Sequence, residues 1–329
     1  MGHWFPETVL DNQFFDELDI GSSAQWIDDR VGIRQRRSVL TRDDIKRLRH
    51  GQTTREELVR EGRVMTIAAM CREPWRAAKE RSGLDERGGQ VDQVICGTSV
   101  PDWDIPANAC SVAGELGLAA AGFDVNSACS SFVVNLHVAR GLLASRAASS
   151  VAVFNAERYT TRLDYTDRSS CVLFGDSASA AILETTAPQR RALELVDTVV
   201  RSDAAGYPHV RLPDGGTFSQ NGAAVQKFAV TKTVAVTHEI LERNELSVAD
   251  LRYFIGHQAN FRMLASACEK NGIEQHRHLW NVDTHGNQGA TGASTVLSTH
   301  WDNYHSGDLV LVAVVGSGLT WGAALFRAI

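Results

Sequence analysis

The chain has 329 residues, 43% of them apolar and 22% charged, with seven prolines, a composition that suits a globular protein and excludes a disordered or fibrous one. Its formal net charge of −6 provides no global attraction to nucleic acid or anionic membrane, so an acidic partner has to dock on a local basic patch. No apolar run approaches the roughly 20 residues that span a bilayer, and Met1–Pro6 lacks the charged and apolar regions of a signal peptide, so a cytoplasmic protein without membrane insertion is expected. The six cysteines (Cys71, Cys96, Cys110, Cys129, Cys171, Cys268) form no C-x-x-C pair, which argues against a zinc site and a secreted disulfide framework; most are read as reduced core thiols.

In chain order, residues 42–63 come first: dense in both charge signs and nearly free of aromatics, they read as an exposed helix and turn on a solvated face. Strands are predicted at 93–97, 150–154, 178–183, 254–256 and 309–315, short and β-branched as in sheets buried on both faces. Helices are predicted at 130–143, 226–244 and 262–271. Residues 185–191 are a polar, proline-containing joint followed by a new run at 193–200, and 203–222 reads as a glycine- and proline-rich surface loop. The alternation predicts a layered α/β protein divided into halves 1–187 and 188–329.

Around Cys129 the sequence FDVNSACSSF passes from an apolar strand start through small residues into a helix. Cys129, Phe132, Val133 and Leu136 fall at i, i+3, i+4 and i+7 and share one inward face, which puts the thiol at a buried helix N-terminus. Backbone N–H groups and the helix dipole there are expected to lower its pKa and to hold an oxyanion. Ser127, Ala128, Ser130 and Ser131 are small enough to admit a substrate. A small core cysteine is the competing reading.

His257 follows a β-branched run and precedes a helix, at a strand end where α/β proteins keep their sites; the competing reading is a helix-capping or core-bonded histidine. Asn287 lies in DTHGNQGATGAS, a small-residue turn that lets backbone approach a ligand, or one that simply uses Asn for a left-handed conformation. Gly316-Ser317-Gly318 follows the strong strand at 309–315 and leads into another strand rather than a helix, so it reads as a backbone N–H donor and not as a phosphate loop. Together these pieces describe a nucleophile, two polar side-chain donors and an oxyanion hole.

With these residues in place the sequence resembles β-ketoacyl-acyl carrier protein synthase III and its secondary-metabolite relatives along essentially the whole chain. The matching stretches are WIDDRVGIRQR at 26–36, the 124–132 segment around the cysteine, Thr166-Asp167-Arg168 with Phe174-Gly175-Asp176, Asn221-Gly222, GHQANFR at 256–262, 284–294, and GSGLTWGAAL at 316–325. The resemblance implies a thiolase-like five-layer αβαβα fold made of two similar halves, usually in a homodimer. It implies Cys129, His257 and Asn287 as the catalytic triad, and the backbone N–H groups of Cys129 and Ser317 as the oxyanion hole. It further implies that Trp26 and Arg168 sandwich the adenine of coenzyme A, that Arg30, Gly222 and Asn260 line the pantetheine route, and that Lys227 and Arg262 dock an acidic acyl carrier protein. No metal or redox cofactor is implied, since coenzyme A or phosphopantetheine carries the substrates.

The chain departs from the family pattern in four places. Met1-Gly2-His3 stands where the family's first strand should be ending, so that strand is expected to be missing or to lie upstream, and 42–63 is longer than the family's loop. Ile105 occupies the position from which a partner subunit's phenylalanine closes the acyl pocket in primer-selective members, while Gln226 and Val315 replace phenylalanines near the entrance. These changes imply an acyl group larger than acetyl. The expected reaction is a decarboxylative Claisen condensation through an acyl-Cys129 intermediate, with a malonyl-type or β-ketoacyl thioester as second substrate. A papain-like hydrolase shares the order Cys, His, Asn, but Cys129 lies far from the N-terminus without the papain-type flanks. Acyl transfer to oxygen or nitrogen without condensation competes with condensation, as does a non-catalytic subunit.

Overall fold

The structure, a computed structural model, describes all residues except 87, 187 and 189, so two positions of the expected joint at 185–191 lie outside the described residues. Its strands form two main sheets. The first has the order Gly2–Trp4, Ser177–Glu184, Ser150–Glu157, Gln93–Gly97, Ala121–Asp124. The last three of these run parallel, and Ser177–Glu184 is antiparallel to both its neighbours. The second sheet has the order Leu193–Ser202, Thr320–Ala328, Leu309–Gly316, Tyr253–Gly256. Here Thr320–Ala328 is antiparallel to both neighbours and Tyr253–Gly256 runs parallel to Leu309–Gly316. The second sheet thus repeats the order and sense of the first, without a counterpart of Ala121–Asp124 among the described residues.

Side-chain alternation decides how the sheets stack, because successive residues of a strand point to opposite faces. Along Leu309–Gly316, Val310, Val312 and Val314 pack with Phe132, Val133 and Leu136 of the helix Ser131–Ala144 and with Val296 and Leu297 of the helix Gly292–Thr299. The alternate residues Leu311, Ala313 and Val315 pack outward with Val236 and Ile240 of the helix Gly222–Arg243. The strand Ser150–Glu157 does the same in the first sheet: Val151 and Val153 meet Ala139 of the central helix, while Ala152, Phe154 and Ala156 face Ile67, Trp75 and Ala78 on the outside. Helices therefore lie outside each sheet and between the two. This is the five-layer arrangement that the resemblance implies, and apolar residues at consecutive strand positions are its sequence trace.

Three expectations need correction. Residues 42–63 do form exposed helices, Arg42–Arg49 and Arg55–Arg60, each begun by a threonine in a capping box. The segment is not merely a solvated face, however: Ile45 and Leu58 are buried with Val100, Leu163 and Tyr165, and the buried carboxylate of Asp44 accepts a 2.6 Å hydrogen bond from Arg63. Ile45 with partly buried Leu48 on the first helix and Leu58 on the second, set among charges, are too sparse to register as an apolar stripe. The first strand is present, since Gly2–Trp4 pairs with Ser177–Glu184. The 203–222 loop contains a short hairpin of Val210–Arg211 with Ser219–Gln220, and the helix after it starts at Gly222 because the Asn221 side chain caps Ala224 N at 3.2 Å. Among the described residues no helix is long and apolar enough to cross a membrane.

Leu311 is fully buried where the second sheet meets its outer helix. Leu311→Ala is expected to lower stability by about 2–5 kcal/mol, the range for such cavities, read as a lower urea midpoint with an unchanged slope.

Candidate active site

Cys129 sits in a tight turn, Ala128–Ser130, immediately before the helix Ser131–Ala144. Ala128 takes a φ of 46°, a left-handed value uncommon for a residue with a Cβ, and the surrounding hydrogen bonds hold it there. Ser131 Oγ donates to Ala128 O and Ser130 Oγ donates to Ser127 O, both at 2.7 Å, while Ser127 N donates to Ser131 Oγ at 2.8 Å and Ala128 N to Asn126 Oδ1 at 2.9 Å. The expectation that the small neighbours leave room for a ligand thus holds for Ser127 and Ala128, which line the cavity, and fails for Ser130 and Ser131, which are buried and tie the turn.

The second half of the chain presses on this turn. A Cβ at Gly316 would lie 2.8 Å from both Ser127 O and Ser130 N, so only glycine lets the strand Leu309–Gly316 end there. The next residue, Ser317, lines the same cavity as Cys129.

His257 and Asn287 reach that cavity from two further loops. His257 follows the strand Tyr253–Gly256, is buried, and its Nδ1 has no hydrogen-bond partner among the described residues. Burial lowers its pKa to about 4, so the imidazole is neutral at neutral pH. The backbone of Asn287 is zipped to the first half, Asn287 N donating to Leu173 O at 2.8 Å and Gly175 N to Asn287 O at 3.0 Å. Its side-chain Oδ1 accepts from Gly289 N at 2.9 Å, which leaves the amide NH₂ as the free donor. Buried Gln258 joins the two loops, accepting from Asn281 N at 3.1 Å and Val282 N at 3.2 Å and donating to Gly256 O at 2.8 Å.

The thiol contradicts the expectation of a lowered pKa. Burial, reinforced by the carboxylate of Glu157, pushes it up to about 12, while hydrogen bonds from Tyr159 and the Cys129 backbone N–H oppose the rise. The helix N-terminus is present, but desolvation of a charge outweighs it. Glu157 itself is fully buried and accepts from Ser99 N at 3.0 Å, Ser99 Oγ at 3.1 Å and Ala290 N at 3.3 Å; burial raises its pKa to about 8. Sequence reasoning singled out none of Ser99, Glu157 and Tyr159. Glu157 and Tyr159 stand at the end of the strand Ser150–Glu157, and Ser99 just past Gln93–Gly97, so the strand-end rule that found His257 also applied to them.

The cavity measures about 930 Å³ and is lined as well by Trp26, Arg30, Arg168, Gly222, Asn260, Arg262, Gln226 and Val315. Arg168 lies over Trp26, its guanidinium carbon 4.9 Å from the ring centroid, and donates to Gly21 O. Asn260 caps the helix Phe261–Asn271 by accepting from Met263 N at 2.8 Å. Two expected residues are not in the lining: Lys227 is exposed on the helix beside the mouth, and Ile105 is 86% exposed on a separate loop. A thiol, a neutral imidazole, a carboxamide donor and two backbone N–H groups around one cavity suit covalent acyl chemistry with stabilisation of developing negative oxygen.

Comparisons with known proteins agree with this chemistry. Residues 123–204 match the family model described as 3-oxoacyl-[acyl-carrier-protein (ACP)] synthase III, and residues 241–328 match the model for its C-terminal part. The chain is 30% identical to a β-ketoacyl-[acyl-carrier-protein] synthase III of Aliarcobacter butzleri, over 99% of this chain and 96% of that protein. It superposes on the 3-oxoacyl-[acyl-carrier-protein] synthase III of Aquifex aeolicus with a TM-score of 0.84 at 28% identity, covering 99% of this chain and 97% of the other. The priming β-ketosynthase of the R1128 polyketide pathway gives 0.81 at 26% identity, with 99% and 94% covered.

Because the folded pKa of His257 lies near 4 and the unfolded value near 6.5, the ring stays neutral from pH 5 upward, and its contribution to stability falls as pH drops from 6.5 toward 4. Ring ¹⁵N signals are expected to show no protonation of His257 at pH 5.5. A titration centred near 6.5 would contradict the burial described here.

Proposed function

The chain belongs to the 3-oxoacyl-[acyl-carrier-protein] synthase III family and is a condensing enzyme of fatty-acid or polyketide biosynthesis, and we propose that Cys129 carries the acyl group that it condenses. The observation behind this reading is that Cys129, His257, Asn287 and Ser317, from four separate segments, line one cavity. In the first half-reaction Cys129 Sγ attacks an acyl thioester, and the tetrahedral oxyanion is held by the backbone N–H groups of Cys129 and Ser317. With a resting thiol pKa near 12, loss of the proton accompanies attack rather than preceding it; the bond from the acyl carbon to the donor's sulfur then breaks, and the departing thiolate takes up the proton and leaves as a free thiol.

In the second half-reaction a malonyl-type or β-ketoacyl thioester enters. Neutral His257 and the Asn287 amide donate to its thioester oxygen as an enolate forms, by loss of carbon dioxide in the malonyl case or of the acidic proton between the two carbonyls to solvent in the β-ketoacyl case, and the enolate carbon attacks the acyl-cysteine, breaking the acyl–Sγ bond and returning its electron pair to sulfur. Asn287 is suited to this because its carbonyl is already engaged by Gly289 N. No metal or redox group has a step in this sequence; coenzyme A or phosphopantetheine carries both substrates.

Arg30, Gly222 and Asn260 line the pantetheine route. A Cβ on Gly222 would meet no atom within 4 Å, so chain packing does not demand glycine there, and close approach of a ligand accounts for it. The adenine of coenzyme A takes its place between Trp26 and Arg168 only if the guanidinium lifts off the indole, since two stacking contacts of about 3.5–4 Å do not fit in the present gap. Lys227 and Arg262, exposed on neighbouring helices at the mouth, give an acidic acyl carrier protein its basic landing site.

A homodimer completes the acyl pocket. The edge of the first sheet, Ala121–Asp124, has no partner strand on its outer side among the described residues. Asp124 binds the backbone of Asn108 and Ala109 at 2.8 Å each, which sets the loop carrying Trp103 (58% exposed) and Ile105 beside that edge. Exposed strand edges and large apolar side chains invite cover by a second copy. Ile105 then closes the partner's pocket with less bulk than phenylalanine and leaves space for an acyl group larger than acetyl.

Cys129→Ala is expected to abolish labelling by radioactive acyl donors, whereas His257→Ala and Asn287→Ala are expected to keep labelling and lose about 100- to 1000-fold in release of carbon dioxide from malonyl thioester. Labelling of Cys129→Ala would sink the acyl-cysteine, and absence of carbon dioxide from acylated wild type would favour use of a β-ketoacyl partner or transfer to oxygen or nitrogen. Light scattering should give a dimer mass, and Ile105→Phe should shift acyl preference toward shorter chains in intact-mass labelling; a monomer or an unchanged preference would remove Ile105 from the pocket.

A further inference from the structure

His257 and Asn287 come from separate loops, and the enolate of the proposed condensation needs both to reach one oxygen. The His257 ring has no hydrogen-bond partner at Nδ1 among the described residues, so its place depends on the backbone that carries it. Each of the two donors is followed in the chain by a glutamine, Gln258 and Gln288, and both glutamines are fully buried. Gln258 is held by backbone groups on either side: its Oε1 accepts from Asn281 N at 3.1 Å and Val282 N at 3.2 Å, and its Nε2 donates to Gly256 O at 2.8 Å. Gly292 makes room for it, since a Cβ there would lie 2.8 Å from Gln258 Cβ. Gln288 closes a ring of three side chains. Its Nε2 donates to Asn281 Oδ1 at 2.8 Å and Asn281 Nδ2 donates to Thr295 Oγ1 at 3.1 Å. Thr295 Oγ1 donates to Gln288 Oε1 at 2.9 Å and shares that proton with Gly292 O, also at 2.9 Å. Asn281 is therefore bonded to both glutamines, by its backbone to Gln258 and by its side chain to Gln288.

We infer that Asn281 is a positioning residue for the condensation step: bonded at once to the chain neighbours of His257 and Asn287, it fixes the separation of the two donors. The inference rests on the proposed function and deepens it. Buried polar side chains are a demanding way to fill a core, because each of them has to find hydrogen-bond partners. Leu, Met and Val of similar shape would occupy the places of Asn281, Gln288 and Thr295 without that demand. Replacing both partners of a buried hydrogen bond in this way is nearly neutral for stability. What apolar contacts lack is direction. A hydrogen bond fixes distance and angle together, which is what two donors aimed at one oxygen require.

The ring acts on one half-reaction. The hydrogen bonds that fix the Cys129 turn run among Asn126, Ser127, Ala128, Ser130 and Ser131 and include none of Gln258, Asn281, Gln288 and Thr295. Asn287 is anchored separately, through its backbone, to Leu173 and Gly175 of the first half. Opening the ring thus leaves the Cys129 turn in place and frees the loop of His257 to shift against Asn287. Asn281 does not line the cavity, so it acts through the two donors and not on the substrate.

The test uses the whole protein and reads the two half-reactions apart. In the triple variant Asn281→Leu, Gln288→Met, Thr295→Val, the melting temperature and the acyl loading of Cys129, followed by intact mass, should stay near wild type. Discharge of the acyl-enzyme by malonyl or β-ketoacyl thioester should keep its KM and lose about 10- to 100-fold in kcat, the scale of a misplacement of about 1 Å. Gln288→Met alone, which opens the ring at one side chain, should act in the same direction, whereas Thr295→Ser, which keeps the hydroxyl, should leave both half-reactions unchanged. Wild-type discharge by the triple variant would overturn the inference, as would loading and discharge falling together, which marks a general loosening of the fold. If the triple variant does not fold, Gln288→Met and Thr295→Ser decide, and equal discharge by these two overturns the inference. Wild type that fails to load removes the acyl-cysteine reading, and wild type that loads but is discharged by neither thioester removes condensation. Wild type that does both, beside variants that match it, removes only the role of Asn281.

Discussion

The contact that everything else in the site depends on is backbone against backbone, where Gly316 of the second sheet meets the turn Ser127–Ser130 of the first half. The turn of Cys129 is strained at Ala128 and has no regular ladder of its own, so its shape comes from serine hydroxyls and from what is pressed against it. Gly316 is the end of a strand whose inward valines grip the helix that begins just after Cys129. One rigid element thus sets both the position of the helix and the place where Ser317 enters the cavity lined by Cys129. A side chain at residue 316 would separate the two halves at the point where they have to touch.

The same closeness buries groups of the site, and burial sets their charges. One physical cause, loss of water, moves the groups in opposite directions according to the charge each would bear: the thiol and Glu157 go up, the imidazole goes down. All three are held toward neutrality, as suits a cavity where charge is meant to appear only during reaction. In the proposed condensation a neutral imidazole and an amide whose carbonyl is committed elsewhere serve as donors for the enolate oxygen. In the proposed acylation the protonated thiol, by contrast, has to lose its proton at the moment of attack.

Much of this was legible in the chain. Consecutive β-branched residues in 309–315 signalled a strand buried on both faces, and the structure places its two side-chain sets in two different cores. Phe132, Val133 and Leu136 carried the helical spacing that the central helix obeys, with Cys129 in the turn just before it, and the polar loops at His257 and Asn287 stood out because they interrupt apolar runs. Ile45 and Leu58 were not legible, for one or two apolar residues among charges have the same pattern whether or not another segment comes to cover them. Nor was the raised thiol pKa. Local sequence places a helix N-terminus beside the sulfur, whereas the carboxylate that repels it belongs to a strand end 28 positions further along.

Local order along the chain was therefore enough to specify which segments are strands and helices, that the protein is layered, and which residue types could carry acyl chemistry, because periodicity and turn chemistry are properties of neighbours in sequence. Which groups face one another was decided only when the sheets stacked. The approach of Gly316 to the Cys129 turn, the locking of Asn287 onto Leu173 and Gly175, and the enclosure of Tyr159 between Phe174, Phe218 and Gly289 are contacts across long stretches of chain. They depend on the burial of surfaces that no single segment contains, and so do the protonation states of Cys129, Glu157 and His257.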